Sequence, residues 1–305
     1  MRPGDDATPP PAPPDPRPDL PRARLPILEG QRVVALGDLH GDLTALRHTL
    51  RLAGLIDEQD GWTGENSILV QVGDQLDRGD QERAILHLLD ALHEQAAKVG
   101  GGVYPLIGNH EIMNVALNFG YVTPGGWAEF ADVPHRPDDP TLQHYVPEHR
   151  GRVAAFRPGG PYARRLAAHN TIMIVGDSLF VHGGLEPAFL TVTIGEMNAA
   201  VQAWMLGDGP LPSAVNGING VVWSRRYSAD TDATDCTYLR DVLDAVGAQR
   251  MVVAHTVQMD GINSACDGQV WRVDVGLSSF YGGRPQALEI QGDTVRVLGP
   301  EPAGP

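Results

Sequence analysis

Lysine is almost absent from this sequence, since Lys98 is the only one among 305 residues. A nucleotide-binding P-loop needs a lysine within a fixed glycine-rich motif, and Lys98 does not lie in one, so that class of site is excluded. Schiff-base chemistry depends on a lysine amine and is poorly supported for the same reason. The other cationic side chains are arginines, whose planar guanidinium groups make paired hydrogen bonds to carboxylate and phosphate oxygens.

Cysteine is nearly as scarce, with only Cys236 and Cys266 in the chain. Two cysteines do not make a disulfide framework, and we predict two free thiols, although they would pair if the fold brought them together. Neither cysteine begins a phosphate-cradling loop that ends in arginine. A thiol-based tyrosine phosphatase mechanism is therefore excluded.

The sequence also lacks a basic surplus and a long apolar run. It has 23 basic and 38 acidic residues, a net charge of -15, and we therefore predict no nucleic-acid partner. No stretch approaches the roughly 20 apolar residues of a membrane helix, which predicts no membrane partner. The N-terminus shows no basic segment followed by an apolar run, so we expect a cytoplasmic protein, with the periplasm left open.

Composition divides the chain into a tail and one domain. Residues 1–26 are rich in proline, aspartate and arginine, and we predict that they form a disordered tail. Residues 27–300 alternate apolar runs with helical spacing, which is typical of an α/β domain with a sheet buried between layers. The predicted strands are 32–36, 68–72, 103–107, 172–175, 179–181, 251–254, 270–275, 287–290 and 294–298. The predicted helices are 43–55, 82–97, 196–206 and 238–246.

Residues 117–165 interrupt this rhythm with glycine, proline, histidine and aromatic residues. So long a segment without periodicity is usually functional or disordered, and its aromatic content favours an ordered insertion. We predict that it covers the active site, with Tyr121, Trp127 and Phe130 beside the substrate. The alternative is that these rings only pack the insertion onto the domain.

Five turns each follow an apolar strand and carry aspartate, histidine or asparagine. Taken singly, each is more simply a turn, a helix cap or a packed histidine. Open α/β sheets gather ligands at the carboxyl ends of their strands, so we expect the five turns to converge. Their side chains suit divalent metals of the Mn, Fe or Zn type, and two such ions promote displacement at phosphorus. The turns span residues 37–42, 73–79, 108–111, 181–184 and 254–256.

Three of these turns, at 37–42, 73–79 and 108–111, resemble the signature blocks of the phosphoprotein-phosphatase family of calcineurin-like metallophosphoesterases. His182 and His255 resemble the two later histidine ligands of that family. Residues 73–79, 109–114 and 274–278 are similar to its bacterial-type Shewanella-like branch, as is the aromatic insertion. The resemblance implies a four-layer αββα sandwich with the insertion over the active site.

The resemblance also implies which residues hold two divalent metal ions. Asp38 and His40 would bind the first ion, and Asp74 would bridge both. The second site would be completed by Asn109, His182 and His255.

Catalytic roles follow from the same resemblance. His110 would be the general acid, oriented by Asp77, and Arg78 and Asn109 would bind the phosphate. A second phosphate-binding arginine is expected from Arg225 and Arg226, and we favour Arg225. Val257 stands where many nuclease-like and diesterase-like relatives have a histidine, which favours phosphomonoesters.

The sequence therefore predicts a metal-dependent phosphatase, a hydrolase of phosphoric monoesters. Its substrate would be a phosphorylated protein or a small phosphate ester, with tyrosine against serine or threonine left open. One alternative is a dinucleoside-polyphosphate hydrolase, which shares all five turns. The non-enzyme alternative is an inactive scaffold that binds phosphorylated partners, although the complete ligand set argues against it.

Overall fold

The computed structural model describes residues 20–300, within which eleven β-strands and eight α-helices alternate. The strands are β1 (Arg24–Leu25), β2 (Val33–Leu36), β3 (Ile68–Gln71), β4 (Gly102–Pro105), β5 (Ile172–Val175), β6 (Ser178–Val181), β7 (Arg250–Val253), β8 (Asn263–Ala265), β9 (Val270–Arg272), β10 (Ala287–Gln291) and β11 (Thr294–Leu298). The helices are α1 (Leu43–Leu52), α2 (Glu82–Ala97), α3 (Asn109–Val115), α4 (Pro124–Glu129), α5 (Arg150–Phe156), α6 (Pro161–Leu166), α7 (Ile194–Met205) and α8 (Ala233–Val246).

The strands form two mixed sheets. One has the order β11-β10-β2-β3-β4, and the other has the order β1-β5-β6-β7-β9-β8. In the first sheet β2, β3 and β4 run parallel, and in the second β6, β7 and β9 run parallel. The predicted strands 172–175 and 179–181 correspond to β5 and β6, which pair as an antiparallel hairpin.

Alternating side chains explain why the two sheets and their helices form four layers. Along β2, Val33 and Ala35 pack in the core between the sheets, whereas Val34 and Leu36 pack with the apolar faces of α1 and α2. In a strand, successive side chains point to opposite faces, so a fully apolar strand needs a partner layer on each side. The second sheet packs its outer face against α5, α7 and α8. The fold is the predicted αββα sandwich.

A short strand lies just before the predicted domain boundary at residue 27. Arg24 and Leu25 form β1, which pairs in parallel with Ile174 and Val175 at the edge of the second sheet. Two residues are too few to show a strand pattern in the sequence. The rest of the predicted tail, residues 1–19, lies outside the described residues.

The prediction of two free thiols is wrong, because Cys236 and Cys266 form a disulfide. Their Cα atoms lie 5.3 Å apart, although 30 residues separate them in the chain. Cys236 lies on α8 and Cys266 directly follows β8, so only the packing of these two elements decides the pairing.

The insertion at 117–165 is ordered and contains α4, α5 and α6. These helices have six or seven residues each, which is too short for a clear 3.6-residue pattern. Across residues 20–300, none of the helices has the length and apolar character needed to cross a membrane.

Candidate metal centre

The five predicted turns meet at one edge of the sandwich. Three of them follow the parallel strands β2, β3 and β4 of one sheet, and two follow β6 and β7 of the other. Because parallel strands end at the same edge of a sheet, the turns face one another across the top of the core. The geometry therefore brings together side chains that lie up to 217 residues apart in the chain.

Unusual backbone geometry is concentrated in these turns. Among the described residues, ten non-glycine residues have positive φ, and five of them are predicted site residues. They are His40, Asp74, Asp77, Arg78 and His255. Such conformations cost free energy and persist where the surrounding structure over-determines them, typically at functional sites.

Gly73 shows why one of these turns needs glycine. Its φ is +92°, and a Cβ there would lie 2.8 Å from Nδ1 of His182. Any larger side chain would therefore displace a predicted ligand. Glu111 joins the turns at 73–79 and 108–111. Its buried carboxylate accepts hydrogen bonds from the backbone N–H groups of Gly108, Asp74 and Gln75 at 2.8–2.9 Å.

The other five predicted metal ligands lie around the Asp74 carboxylate. Oδ2 of Asp74 is 3.9 Å from Nε2 of His40 and 3.3 Å from Nε2 of His182. Asp38 Oδ2 lies 3.8 Å from the same His40 nitrogen. On the other side, Asn109 Oδ1 lies 2.9 Å from His182 Nε2. His255 completes this group, in which ligand atoms of Asp74, His182 and His255 lie within 4.8 Å of one another.

The histidine hydrogen bonds suit metal binding. Nδ1 of His40 contacts the carbonyl oxygen of Leu76 at 3.0 Å, and Nδ1 of His182 contacts that of Val72 at 2.8 Å. A ring nitrogen that donates to a carbonyl leaves the other nitrogen, Nε2, unprotonated and aimed at the site. The donor set of carboxylate, imidazole and amide oxygen therefore fits divalent ions of the Mn, Fe or Zn type.

Three buried carboxylates at the centre call for a compensating cation. Burial, together with the charges of Asp274 and Asp74, raises the pKa of Asp38 well above its usual value. Burial raises the pKa of Asp274 to about 6. Asp74 differs: burial acts to raise its pKa, but the imidazoles of His182, His110 and His40 hold that pKa well below the usual range. Like charges this close are costly unless a cation joins them.

The pKa values of the histidines are also shifted in opposite directions by burial and by nearby carboxylates. Burial lowers the pKa of His40 to about 4 and that of His255 to about 2, which favours the neutral imidazole that binds metals. Burial acts to lower the pKa of His110 too, but the Asp74 and Asp77 carboxylates outweigh it and raise that pKa above its usual value. His182 behaves like His110, since Asp74 outweighs burial there and raises the pKa.

His110 lies beside the ligands and pairs with a carboxylate. Its Nδ1 is 2.5 Å from Oδ2 of Asp77, and its Nε2 is 3.8 Å from Oδ2 of Asp74. His40, Asp74 and His110 can themselves be grouped as a possible metal set. The Asp77 partner distinguishes His110 from His40 and His182, whose Nδ1 atoms face neutral carbonyls, because a carboxylate stabilises the protonated imidazolium.

Arg78 and Arg225 reach the site, whereas Arg226 does not. Arg225 donates from Nη1 to the His255 carbonyl oxygen at 2.9 Å and to Thr256 Oγ1 at 2.7 Å. Arg226 is held in ion pairs with Glu186 and Asp235, at 3.0 and 2.5 Å. Arg78 and Arg225 line the metal-site cavity of about 110 Å³, and Arg226 is not among the residues that do.

Four further side chains line this cavity. Asp274, Trp223, Tyr281 and Tyr121 were not predicted as metal or phosphate ligands. Asp274 could have been found from the sequence, because it is a polar residue at the end of an apolar strand, like the predicted ligands. Trp223 and Tyr281 lie in loops without such a signal. A larger cavity of about 530 Å³, lined by α2, β4 and α6, shares no residue with the site.

Of the three insertion aromatics predicted beside the substrate, only Tyr121 lines the cavity. Phe130 is fully buried and packs against Phe156 and Tyr162, with ring centroids 4.9 and 4.8 Å away. Trp127 stacks on His149 at 3.8 Å. The placement of Phe130 and Trp127 beside the substrate is therefore corrected: their rings pack against other residues of the insertion, whose short helices need a core of their own.

Comparison with known proteins gives a consistent family. Residues 31–259 match the family described as calcineurin-like phosphoesterase. The chain is 39% identical to Shewanella-like protein phosphatase 2 of Arabidopsis thaliana, over 89% of this chain and 78% of that protein. It is 30% identical to Shewanella-like protein phosphatase 1 of Plasmodium berghei, over 88% of this chain and 74% of that protein.

A solved structure is similar in fold. The cold-active protein-tyrosine phosphatase of a psychrophilic Shewanella species superposes with a TM-score of 0.73 at 24% identity, over 92% of this chain and 83% of that one. The chain therefore belongs to the calcineurin-like phosphoesterase family, in its Shewanella-like protein phosphatase branch, and is a metal-dependent phosphoester hydrolase.

Proposed function

We propose that this hydrolase is a dinuclear-metal phosphomonoesterase that acts on phosphotyrosine, phosphoserine or phosphothreonine in proteins. One observation carries the proposal: five metal-type donors surround the Asp74 carboxylate, directly beside the His110–Asp77 pair and two arginines. Protein phosphatases among the relatives support a protein substrate. Val257 in place of a further histidine supports a monoester rather than a diester.

Two divalent ions would be held by Asp38, His40, Asp74, Asn109, His182 and His255. When bound, such ions activate water near neutral pH and neutralise charge on the phosphoryl oxygens. Asp74 suits the shared position because its ionised carboxylate lies within 4 Å of His40 and His182, which belong to the two different halves of the set.

The protein's own residues account for the remaining steps. Arg78 and Arg225 line the cavity from different loops and would orient the phosphoryl oxygens with charged hydrogen bonds. His110, kept protonated by Asp77, would donate the Nε2 proton to the departing oxygen. Asp74, Asn109 and His110 are buried, and low exposure to water strengthens both electrostatic effects.

The rim of the cavity is aromatic. The Arg78 guanidinium lies 4.7 Å from the ring centroid of Tyr121, 5.1 Å from that of Phe280 and 5.2 Å from that of Tyr281. Tyr121 and Phe280 are also exposed, at 49% and 59%. Exposed rings beside a phosphate-binding arginine suit a phenolic leaving group, which favours phosphotyrosine among the three side chains.

A substrate panel tests the proposal. The purified chain, stripped of metal and then supplied with manganese, should hydrolyse a phosphotyrosine or phosphoserine peptide faster than diadenosine tetraphosphate. Metal analysis should approach two ions per chain for the wild type and fall for Asp74→Asn. Full activity after exhaustive chelation would sink the proposal, and a preference for diadenosine tetraphosphate would support the dinucleoside-polyphosphate hydrolase. Phosphopeptide binding without turnover would support the inactive scaffold.

A further inference from the structure

Within residues 20–300, Arg152 is the only arginine with no surface exposed to solvent. It lies in α5 of the insertion. Its Nη2 donates to Asp77 Oδ1 at 3.3 Å and to Glu82 Oε1 at 3.0 Å, and its Nη1 contacts Glu82 Oε2. The guanidinium also donates to Asn114 Oδ1, at 2.8 and 3.2 Å, and to the Gly126 carbonyl oxygen at 2.8 Å.

A buried guanidinium is costly unless its charge and its donors are all matched. Here the guanidinium pairs with two buried carboxylates, Asp77 and Glu82, and all three of its nitrogens have partners. The rings of Phe130 and Phe156 cover the guanidinium at 5.0 and 4.9 Å. The planar guanidinium of arginine presents its donors in a fixed arrangement that can reach all of these acceptors. A lysine ammonium is a compact charge on a flexible stem and could not reach all of them.

Asp77 is held on both sides by this network. Its Oδ2 faces His110, and its Oδ1 accepts from Arg152 and, at 3.0 Å, from Asn114 Nδ2. Its backbone N–H donates to Glu82 at 2.5 Å. Asn114 also donates to the carbonyl oxygen of His110 at 2.9 Å, so the acid and its partner are tied to the same group.

We propose that Arg152 is a positioning residue, which reaches from the insertion to hold Asp77 so that Asp77 aims His110 at the leaving-group oxygen. The inference rests on the proposed function, because it needs His110 to act as the acid. The hydrogen-bond partners of Arg152 in the described chain are Asp77, Glu82, Asn114 and Gly126, none of which is a predicted metal ligand. The insertion thus acts on the chemistry as well as on the rim of the cavity.

The dependence of kcat on the leaving group distinguishes a positioning role of Arg152 from a purely stabilising one. General acid catalysis matters for a poor leaving group such as phenolate and little for dinitrophenolate, which leaves unprotonated. For Arg152→Met in the manganese-loaded chain, we expect kcat on phenyl phosphate to fall roughly 10–100-fold, the scale of lost outer-shell support. On 2,4-dinitrophenyl phosphate kcat should stay within about threefold, and the metal content should match that of the wild type.

Matched variants keep the test decisive. Arg152→Met leaves Glu82 buried without its partner, so Arg152→Met combined with Glu82→Gln restores the charge balance if the single variant fails to fold. Arg250→Met is the control, because Arg250 is a buried arginine of β7 that pairs with Asp177 at 2.6 Å, away from the site. It should lower the melting temperature without changing the ratio of the two rates. His110→Asn sets the upper limit, with a fall of roughly 10²–10⁴ on phenyl phosphate.

The outcomes separate the two proposals. An equal loss on both esters in the Arg152 variants would show that Arg152 only stabilises the fold, and would overturn this inference while leaving the proposed function intact. If His110→Asn shows no leaving-group dependence, the acid assignment fails and the inference fails with it. A manganese-loaded wild type that hydrolyses neither these esters nor the phosphopeptides would overturn the proposed function itself.

Discussion

Single hydrogen bonds decide what each histidine in this site can do. His40 and His182 face backbone carbonyls through Nδ1, which leaves Nε2 as a metal donor. His110 faces the Asp77 carboxylate instead, which favours the imidazolium. The roles proposed for these histidines therefore differ because their outer neighbours differ in charge.

Substitution of the two adjacent arginines, Arg225 and Arg226, should have different effects. Arg225→Ala should raise KM for phosphate esters by roughly 10–100-fold, because a charged hydrogen bond to phosphate is worth about 1.5–3 kcal/mol. Arg226→Ala should leave KM near that of the wild type and lower the melting temperature, since Glu186 and Asp235 lose their partner. Steady-state kinetics and calorimetry on both variants check this, and a KM effect confined to Arg226→Ala would refute it.

At the scale of elements, the insertion has a packed side and an exposed side. Phe130→Ala should destabilise the protein by about 3–5 kcal/mol and lower activity on all substrates alike, because it removes a ring from a filled core. Tyr121→Ala should raise KM for aryl phosphates about 2–10-fold more than for phosphoserine peptides, because it removes a ring contact of about 0.5–1.5 kcal/mol.

Thermal melts and KM ratios for these two variants supply the measurement. If Tyr121→Ala changes aryl and serine substrates equally, the rim does not select the leaving group. In that case the structure gives no reason to favour phosphotyrosine.

The stability of the protein should depend on pH through a carboxyl at the N-terminus of α2. Glu129 accepts hydrogen bonds from the backbone N–H groups of Glu82 and Arg83, both at 3.0 Å. Burial and then the charge of Glu82 raise the Glu129 pKa from 4.5 to about 7. A carboxyl whose pKa is raised on folding keeps its proton in the folded state, so its contribution to the free energy of unfolding is lost as pH rises from about 4.5 to 7.

Glu129→Gln removes this titration and keeps an acceptor oxygen. The melting temperature of the variant, relative to that of the wild type, should therefore rise as the pH increases from about 5 to 8. Melting curves of both proteins across that range, at fixed ionic strength, make the comparison. Parallel pH profiles would mean that Glu129 is ionised in the folded protein throughout.

For the whole molecule, the disulfide joins α8 to the hairpin of β8 and β9 across the second sheet. Closing a loop of 30 residues restricts the unfolded chain and is worth about 3–4 kcal/mol on the chain-entropy account. Replacing both cysteines by alanine should lower the free energy of unfolding by about that amount. Turnover should be unchanged at a temperature where both proteins are folded, because neither cysteine lines the metal-site cavity.

Denaturant unfolding of the wild type and the double variant measures this difference. Treatment with a reductant should bring the wild type to the stability of the variant. A loss of metal from the double variant would contradict the separation of the disulfide from the site.

The local sequence determined the parts of the fold that depend on neighbouring residues. Apolar runs predicted β2, β3 and β10, and helical spacing predicted α2 over its full length. The residues predicted as ligands could be singled out because each follows a strand in a turn of restricted residue types. Such signals are carried within a few residues, and period and turn chemistry are enough to read them.

Tertiary structure alone decided what depends on distant elements meeting. The Cys236–Cys266 bond, the burial of Phe130 and the Arg152 contact to Asp77 each join segments 26 or more residues apart. The short β1 exists only because Ile174 and Val175 offer it an edge. That the Arg225 side chain lines the metal-site cavity while Arg226 pairs with Glu186 likewise depends on how the loop packs.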